Sequence, residues 1–389
     1  MFMPALGVIC QTTTGGGGNR QTWPTWDGTF DGVASLSPTG LNSQVSCVST
    51  LISADKTLYV SSSTGTSIWA GIVTTTGIVE VIGAPLIIQA SFGSSALSVC
   101  TLDSGRALLS YYDTSGFLTA IVLSISGSTV TKGTPLLVDN TNVASDCISI
   151  AKFNTDQSIL CWGDANKPGY FSIVLSTSGT TVTKNTLFQF SSKSGGGTAN
   201  GVSCCVLSVT SIFVGYTDEF GSGGGWGIVL SISGTTITTP TTELQIFSGS
   251  PNQITCCTMD AAHIMTSFGS PNTGFFMACF IAGTVITAGS YVSIIGWKGV
   301  NNGTSGNGIC SINNNTAMVM YTDSAGYNIW AVVLTLSGIS TTLLTPVQLT
   351  ADNHGTPQLL NTCVTLDASR VIAGYQVDSA LHSIVLSII

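Results

Sequence analysis

Apolar runs of four to seven residues, broken by short polar clusters rich in Gly, Ser, Thr and Asp, recur along almost the whole chain. From Ser98 the pattern reads SVCTLDSGRALLSYYDTSGFLTAIVLSISGSTVTKGTPLLVDN. It predicts four short strands: A over Ser98–Leu102, B over Ala107–Tyr112, C over Ala120–Ile125 and D over Thr134–Val138. Turns at Asp103-Ser104-Gly105 and Asp113 to Gly116 separate the first three. Strand C is almost unbroken in its apolar character, which implies burial on both faces. Gly127 closes the C–D hairpin, where a positive φ is expected.

The same unit repeats. IVLSISG occurs at Ile121–Gly127 and Ile228–Gly234, and IVLSTSG at Ile173–Gly179. Weaker copies end at Gly77, Gly283 and Gly338, so the turn glycines lie 49 to 55 residues apart. A last copy, SIVLSII, ends the sequence at Ile389, without a strand D. Four strands per period of about 50, with sheets buried on both faces, predict an all-β, seven-bladed β-propeller of four-stranded antiparallel blades. Strand A begins near Cys47, Val99, Cys147, Cys204, Cys256, Ile309 and Cys363. The segment Asp31–Ser37 precedes the first strand A as strand D does elsewhere, so it is expected to supply the outer strand of the seventh blade. Closure by this N-terminal strand removes the open edges of the ring. The propeller then spans 31–389, and residues 1–30 form an N-terminal strap or docking arm, with Gly15–Gly18 as a link and Trp23 and Trp26 around Pro24.

Composition sharpens this reading. Only 7% of residues are charged, with three Glu (Glu80, Glu219 and Glu243), which disfavours helices. A net charge of −8 without a basic run argues against nucleic acid. No apolar stretch reaches the length of a membrane-spanning helix, so no membrane insertion is expected. The N-terminus lacks the positive n-region of a signal peptide, which suggests synthesis in a cytosol without export. A surface solubilised by Ser, Thr and Asn suits a protein that ends outside a cell.

Three constellations are candidates for chemistry. Nine of the twelve Cys fall in one dipeptide of strand A: Cys47, Cys100, Cys147, Cys204, Cys205, Cys256, Cys257, Cys310 and Cys363. No C-x-x-C spacing supports a metal, and crowding at the axis favours small buried thiols over disulfides. No metal or cofactor is expected. Carboxylates recur at the B–C turn as Asp113, Asp164, Asp218, Asp323 and Asp378. Capping of their own turns is the plainer reading, and a ring that binds sugar hydroxyls or cations is the sharper one. The start of strand C carries Trp69, Thr119, Phe171, Trp226, Met277, Trp330 and His382, each followed by a small residue. Trp69, Phe171, Trp226 and Trp330, with Asp113, Asp218 and Asp323, are the candidate ligand-binding residues. An aromatic face there would stack on a sugar between blades, unless it simply packs the core. Catalysis has little support: His263, His354 and His382 occupy non-equivalent places, Gly221–Gly225 lacks the lysine of a phosphate loop, and no hydrolase motif occurs. No enzyme is expected.

The elements Tyr111–Val138 and Tyr321–Gly338 resemble a repeat of tail-associated and other structural proteins of tailed bacteriophages. The resemblance covers residues from about 45 to 389. The fifth repeat, Ile254–Ile294, departs from it by lacking the Tyr and Asp of the B–C turn. It implies a non-enzymatic virion component (tail, fibre or capsid decoration) present in many copies, mediating assembly or surface attachment. Its partners would be other virion proteins, through residues 1–30, and a host surface glycan. The alternative is a carbohydrate-binding propeller lectin, viral or bacterial, with sites between blades.

Overall fold

The computed structural model describes residues 8–12, 19–20, 34–35, 44–63, 67–76, 79–90, 96–140, 147–164, 169–193, 201–218, 223–239, 242–249, 251, 253–270, 273–296, 308–323, 328–349, 361–377 and 380–388. They form seven antiparallel sheets arranged as the blades of a β-propeller. Among the described residues there is no helix. The innermost strands touch in ring order: Gln44–Ser53, Leu97–Asp103, Ile148–Asn154, Val202–Ser208, Gln253–Thr258, Gly308–Asn313, Asn361–Asp367 and back to Gln44–Ser53.

Blade 2 shows the common plan. Strand A (Leu97–Asp103) pairs with strand B (Arg106–Tyr112), and B with strand C (Leu118–Ser126). The outer strand differs from the expected single strand D, because it comes in two pieces. Thr129–Lys132 pairs with the end of strand C, and Leu136–Asp139 pairs with its beginning. Between them lies Gly133-Thr134-Pro135, where the proline removes a ladder donor. The turn glycine at the C–D hairpin has φ of +58 to +62° at Gly127, Gly179, Gly234, Gly283 and Gly338, the left-handed conformation anticipated at this position.

The core lies between the blades, in seven clusters, one per gap. Strand C of blade 2 shows why its sequence is apolar throughout. Leu118, Ala120 and Val122 pack into the gap towards blade 3, while Ile121, Leu123 and Ile125 pack towards blade 1. Alternate residues of one strand thus serve opposite gaps. Near the axis, hydroxyls join adjacent inner strands. The backbone N–H groups of Ile150, Cys204 and Cys256 each donate at 3.0 Å to Ser98, Ser149 and Ser203 of the preceding blade.

The seventh blade is closed by N-terminal strands. Ala34–Ser35 pairs with Ser383 and His382 of the last strand C (Ala380–Ile388), the place of the second outer piece elsewhere. Val8–Thr12, within the stretch expected to be an arm, pairs with the same strand from Val385 to Ile388, the place of the first piece. Trp23, Trp26 and Gly15–Gly18 lie outside the described residues, as do Asp31 to Val33, Leu36 and Ser37.

The cysteine register needs one correction. Counted from the A–B turn, the dipeptide Val99–Cys100 corresponds to Ser49–Thr50 in blade 1 and to Ile150–Ala151 in blade 3. Cys47 and Cys147 therefore sit earlier on the strand, and the dipeptide is not occupied by Cys in every blade. The short copies of strand A in the sequence carry too little pattern to fix register to a residue. The eleven cysteines whose side chains the structure describes are free thiols. Burial pushes Cys100 and Cys279 up to about 12.

Candidate inter-blade binding site

The B–C turns lie at one end of the ring and the A–B turns at the other, because B runs between them. At the B–C end the turn is built alike in four blades. The backbone N–H of Asp113, Asp164, Asp218 and Asp323 donates across the turn to the carbonyl of Phe117, Gly169, Gly224 and Asn328. The Asp113 carboxylate accepts from the N–H groups of Ser115 (2.8 Å) and Phe117 (3.0 Å). The Asp323 carboxylate accepts from the backbone and side chain of Asn328 (3.2 Å each) and from the Trp330 indole at 2.9 Å. Asp164 and Asp218 are buried, at 1% and 4% exposure. Asp378 lies outside the described residues. The described carboxylates of Asp113 and Asp323 thus hold their own turns. At the A–B end, Asp103, Asp260 and Asp367 do the same. His263 also sits at that end, with Nδ1 2.9 Å from Asp260.

The aromatic residues that start strand C face the preceding blade, and their exposure varies around the ring. Trp69 is 1% exposed and Phe171 8%, so both are core residues whose rings offer little to solvent. Trp226, in the gap between blades 3 and 4, is half-buried. Its ring carries the Lys193 ammonium 3.5 Å from the centroid, and Lys193 in turn pairs with Glu243 at 3.6 Å. Trp330, in the gap between blades 5 and 6, is half-buried and stacks on Tyr321 with centroids 6.4 Å apart. Among the candidate residues, the structure joins Trp330 to Asp323 directly.

In blade 5 the sequence register slips. The N–H of Ile281 bonds the A–B turn as Ile232 does in blade 4, which makes Phe275, not Met277, the counterpart of Trp226. The cause is the short B–C turn: strand B runs to Ser270 and strand C restarts at Thr273, so the usual turn residues are missing. Phe276 then stands where other blades have a small residue.

This irregular blade frames an open site. Between blades 4 and 5 lies a cavity of about 500 Å³, lined by Gln245, Ile246, Phe247, Ser248, Met277, Gly289, Ser290 and Tyr291. Tyr291 is 57% exposed. Its ring meets Phe247 and Phe275 edge-on, at 6.0 and 5.4 Å between centroids. Phe247 also stacks on Phe268 at 5.1 Å, so the aromatic wall is anchored in the core of the gap. Gln245 is oriented by its amide, which donates to the Gly223 carbonyl at 3.3 Å. The wall is thus an exposed aromatic ring beside amide and hydroxyl groups, with no ionisable group other than the Tyr291 phenol. Such a surface can stack on the apolar face of a sugar ring and hydrogen-bond its edge.

Sequence reasoning missed this site, although a signal existed. Tyr291 occupies the place that Pro85, Pro135 and Pro346 hold in the kink of other outer strands. Among the described residues no group of three or more His, Cys, Asp or Glu is placed to hold a metal ion.

No family model matches the sequence, and no curated protein does. Solved structures are similar in fold. The BP39L lectin of Burkholderia pseudomallei is 11% identical, with a TM-score of 0.65 covering 88% of this chain and 95% of that one. A protein from Lactobacillus plantarum is 10% identical, with a TM-score of 0.57 over 90% of this chain and 98% of that one. The SapL1 lectin, in a complex with alpha methyl fucoside, is 12% identical, with a TM-score of 0.52 over 79% and 97%. At such identities the likeness shows the β-propeller fold and nothing finer.

Proposed function

We propose that this chain is a carbohydrate-binding β-propeller that takes a sugar between blades 4 and 5, with a binding rather than a catalytic role. The observation that carries the reading is the cavity of about 500 Å³ walled by the exposed Tyr291 ring, with Gln245, Ser248 and Ser290 at its edge. Its size suits one or two sugar units. Lectins among the structures of similar fold support the same class of ligand. The test is a glycan array followed by calorimetric titration of the full chain. Wild type is expected to bind at millimolar affinity or better, and Tyr291→Ala to weaken binding about tenfold, or about 1.4 kcal/mol. Absence of any glycan binding at millimolar concentration overturns the reading.

A place on a virion is a second proposal, favoured by the repeat resemblance of Tyr111–Val138 and Tyr321–Gly338. There the chain would act as a tail, fibre or capsid decoration, and many copies would turn weak sugar contacts into firm attachment. Imaging of phage particles with an antibody to the chain tests it, and particles that never carry the label overturn it.

A further inference from the structure

In blades 2, 3, 5 and 6 the residue at the end of the first outer-strand piece stands at the mouth of the gap behind it. In blade 2 it is Lys132, whose ammonium donates to the Ile88 carbonyl of blade 1 at 2.7 Å. In blade 3 it is Lys184, which donates to the Val138 carbonyl of blade 2 at 2.8 Å. Both pair with the same place on strand C, opposite Leu123 and Leu175. Each lysine lays its stem across the gap and covers the outer edge of its neighbour. In blade 6 the same place is Leu343, opposite Leu334, and its side chain packs into the cluster between blades 5 and 6. In blade 5 it is Ala288, opposite Cys279. Alanine is too short to cross the gap and has no donor. The carbonyl that corresponds to Ile88 and Val138 belongs to Ile246, which lines the open cavity.

We propose that Ala288 is the specificity-determining residue of the chain. It leaves the gap between blades 4 and 5 open as a single site for a neutral sugar, whereas Lys132, Lys184 and Leu343 shut the corresponding gaps. This rests on the carbohydrate-binding reading given above. The role of the missing ammonium falls to a sugar hydroxyl, which donates to the Ile246 carbonyl while the ring lies against Tyr291. The lining residues carry no cationic or carboxylate side chain. An acidic sugar would therefore bring a carboxylate into the gap without a counter-charge, which is costly. A neutral sugar meets no such cost. Of the four gaps compared, this one is thus left open.

The experiment is calorimetric titration of the full-length protein with neutral methyl glycosides and with their uronic-acid counterparts, using the best binder from the array. Wild type is expected to bind one neutral sugar per chain and to bind the acidic counterpart at least tenfold more weakly. Ala288→Lys is expected to lose at least tenfold in affinity while its circular dichroism and urea midpoint stay at or above those of wild type. If Ala288→Lys does not fold, Ala288→Met, which fills the gap without charge, is expected to show the same loss. Two or more equal sites in wild type, equal binding of the acidic sugar, or unchanged affinity in the folded variant overturns the inference. Any of these results leaves carbohydrate binding itself standing. Absence of binding by wild type to every glycan removes the reading beneath it as well.

Discussion

Two glycines receive the same substitution in this fold with different outcomes. Gly127 lies in the C–D turn of blade 2 with φ +61°, and a Cβ added there meets no atom within 4 Å. Gly127→Ala therefore costs only the left-handed backbone, about 1–2 kcal/mol. The lower entropy of the unfolded alanine chain offsets about 0.4–1 kcal/mol of that. A net loss of about 1 kcal/mol follows. Gly289 has no such backbone demand, but its added Cβ would lie 2.1 Å from the Ile339 carbonyl oxygen and 3.0 Å from that of Ala278. Both are backbone atoms, one of them in the C–D turn of blade 6, so rotamer changes cannot relieve the clash. Blades 5 and 6 must separate by roughly 1 Å, and overpacking of this kind costs about 1–3 kcal/mol. Because Gly289 also lines the cavity, its displacement should weaken sugar binding, while Gly127→Ala should leave binding unchanged. Urea unfolding followed by tryptophan fluorescence measures the first effect, and titration with the bound glycan the second. Equal or larger destabilisation by Gly127→Ala, or a Gly289→Ala protein with native stability and full affinity, would refute the packing described for these blades.

Two further expectations concern titratable groups. Cys100 and Cys279 should resist iodoacetamide in the native protein at pH 8 and react after unfolding, since burial shields both and holds them at about 12. Peptide mass spectrometry that finds Cys100 or Cys279 alkylated in the native state contradicts the buried assignment. Burial raises the carboxyls of Asp103, Asp260 and Asp367, but hydrogen bonds from Arg106, His263 and Arg370 and from turn N–H groups outweigh it and leave each below its usual range. A depressed folded value contributes stability above the unfolded value of about 3.9, and that contribution disappears as pH falls through the folded value. The urea midpoint should therefore drop below about pH 4, and a combined Asp103→Asn, Asp260→Asn and Asp367→Asn variant should show a shallower drop. An identical pH profile in the two proteins counts against these turn contacts.

Much of the fold is legible in the residues, because a blade buried on both faces leaves a strong mark. The apolar run at Leu118–Ser126 follows from that burial, and the positive-φ glycines mark the hairpins that end such runs. The division of the outer strand at Gly133-Thr134-Pro135 was less visible, since each piece is only about four residues long. Register in blade 5 was lost where the short Ser270–Thr273 turn removes the residues that align the other copies. The binding site is harder still. Whether a strand-C aromatic is core or surface depends on what the neighbouring blade sets beside it. Trp69 lies within a full cluster, Trp226 lies under Lys193, and Phe275 packs edge-on against the exposed Tyr291 ring. Several such contacts join residues far apart in the sequence, and only the closed ring brings them together.

Whether the gap beside Tyr291 holds the ligand is decided most directly by a crystal of the protein soaked with its best-binding neutral glycoside. The predicted result is one ordered sugar against the Tyr291 ring, with a hydroxyl within hydrogen-bond distance of the Ile246 carbonyl. Sugar density seated instead at the A–B turns or in the central channel, with the blade 4–blade 5 gap holding only solvent, would contradict the account.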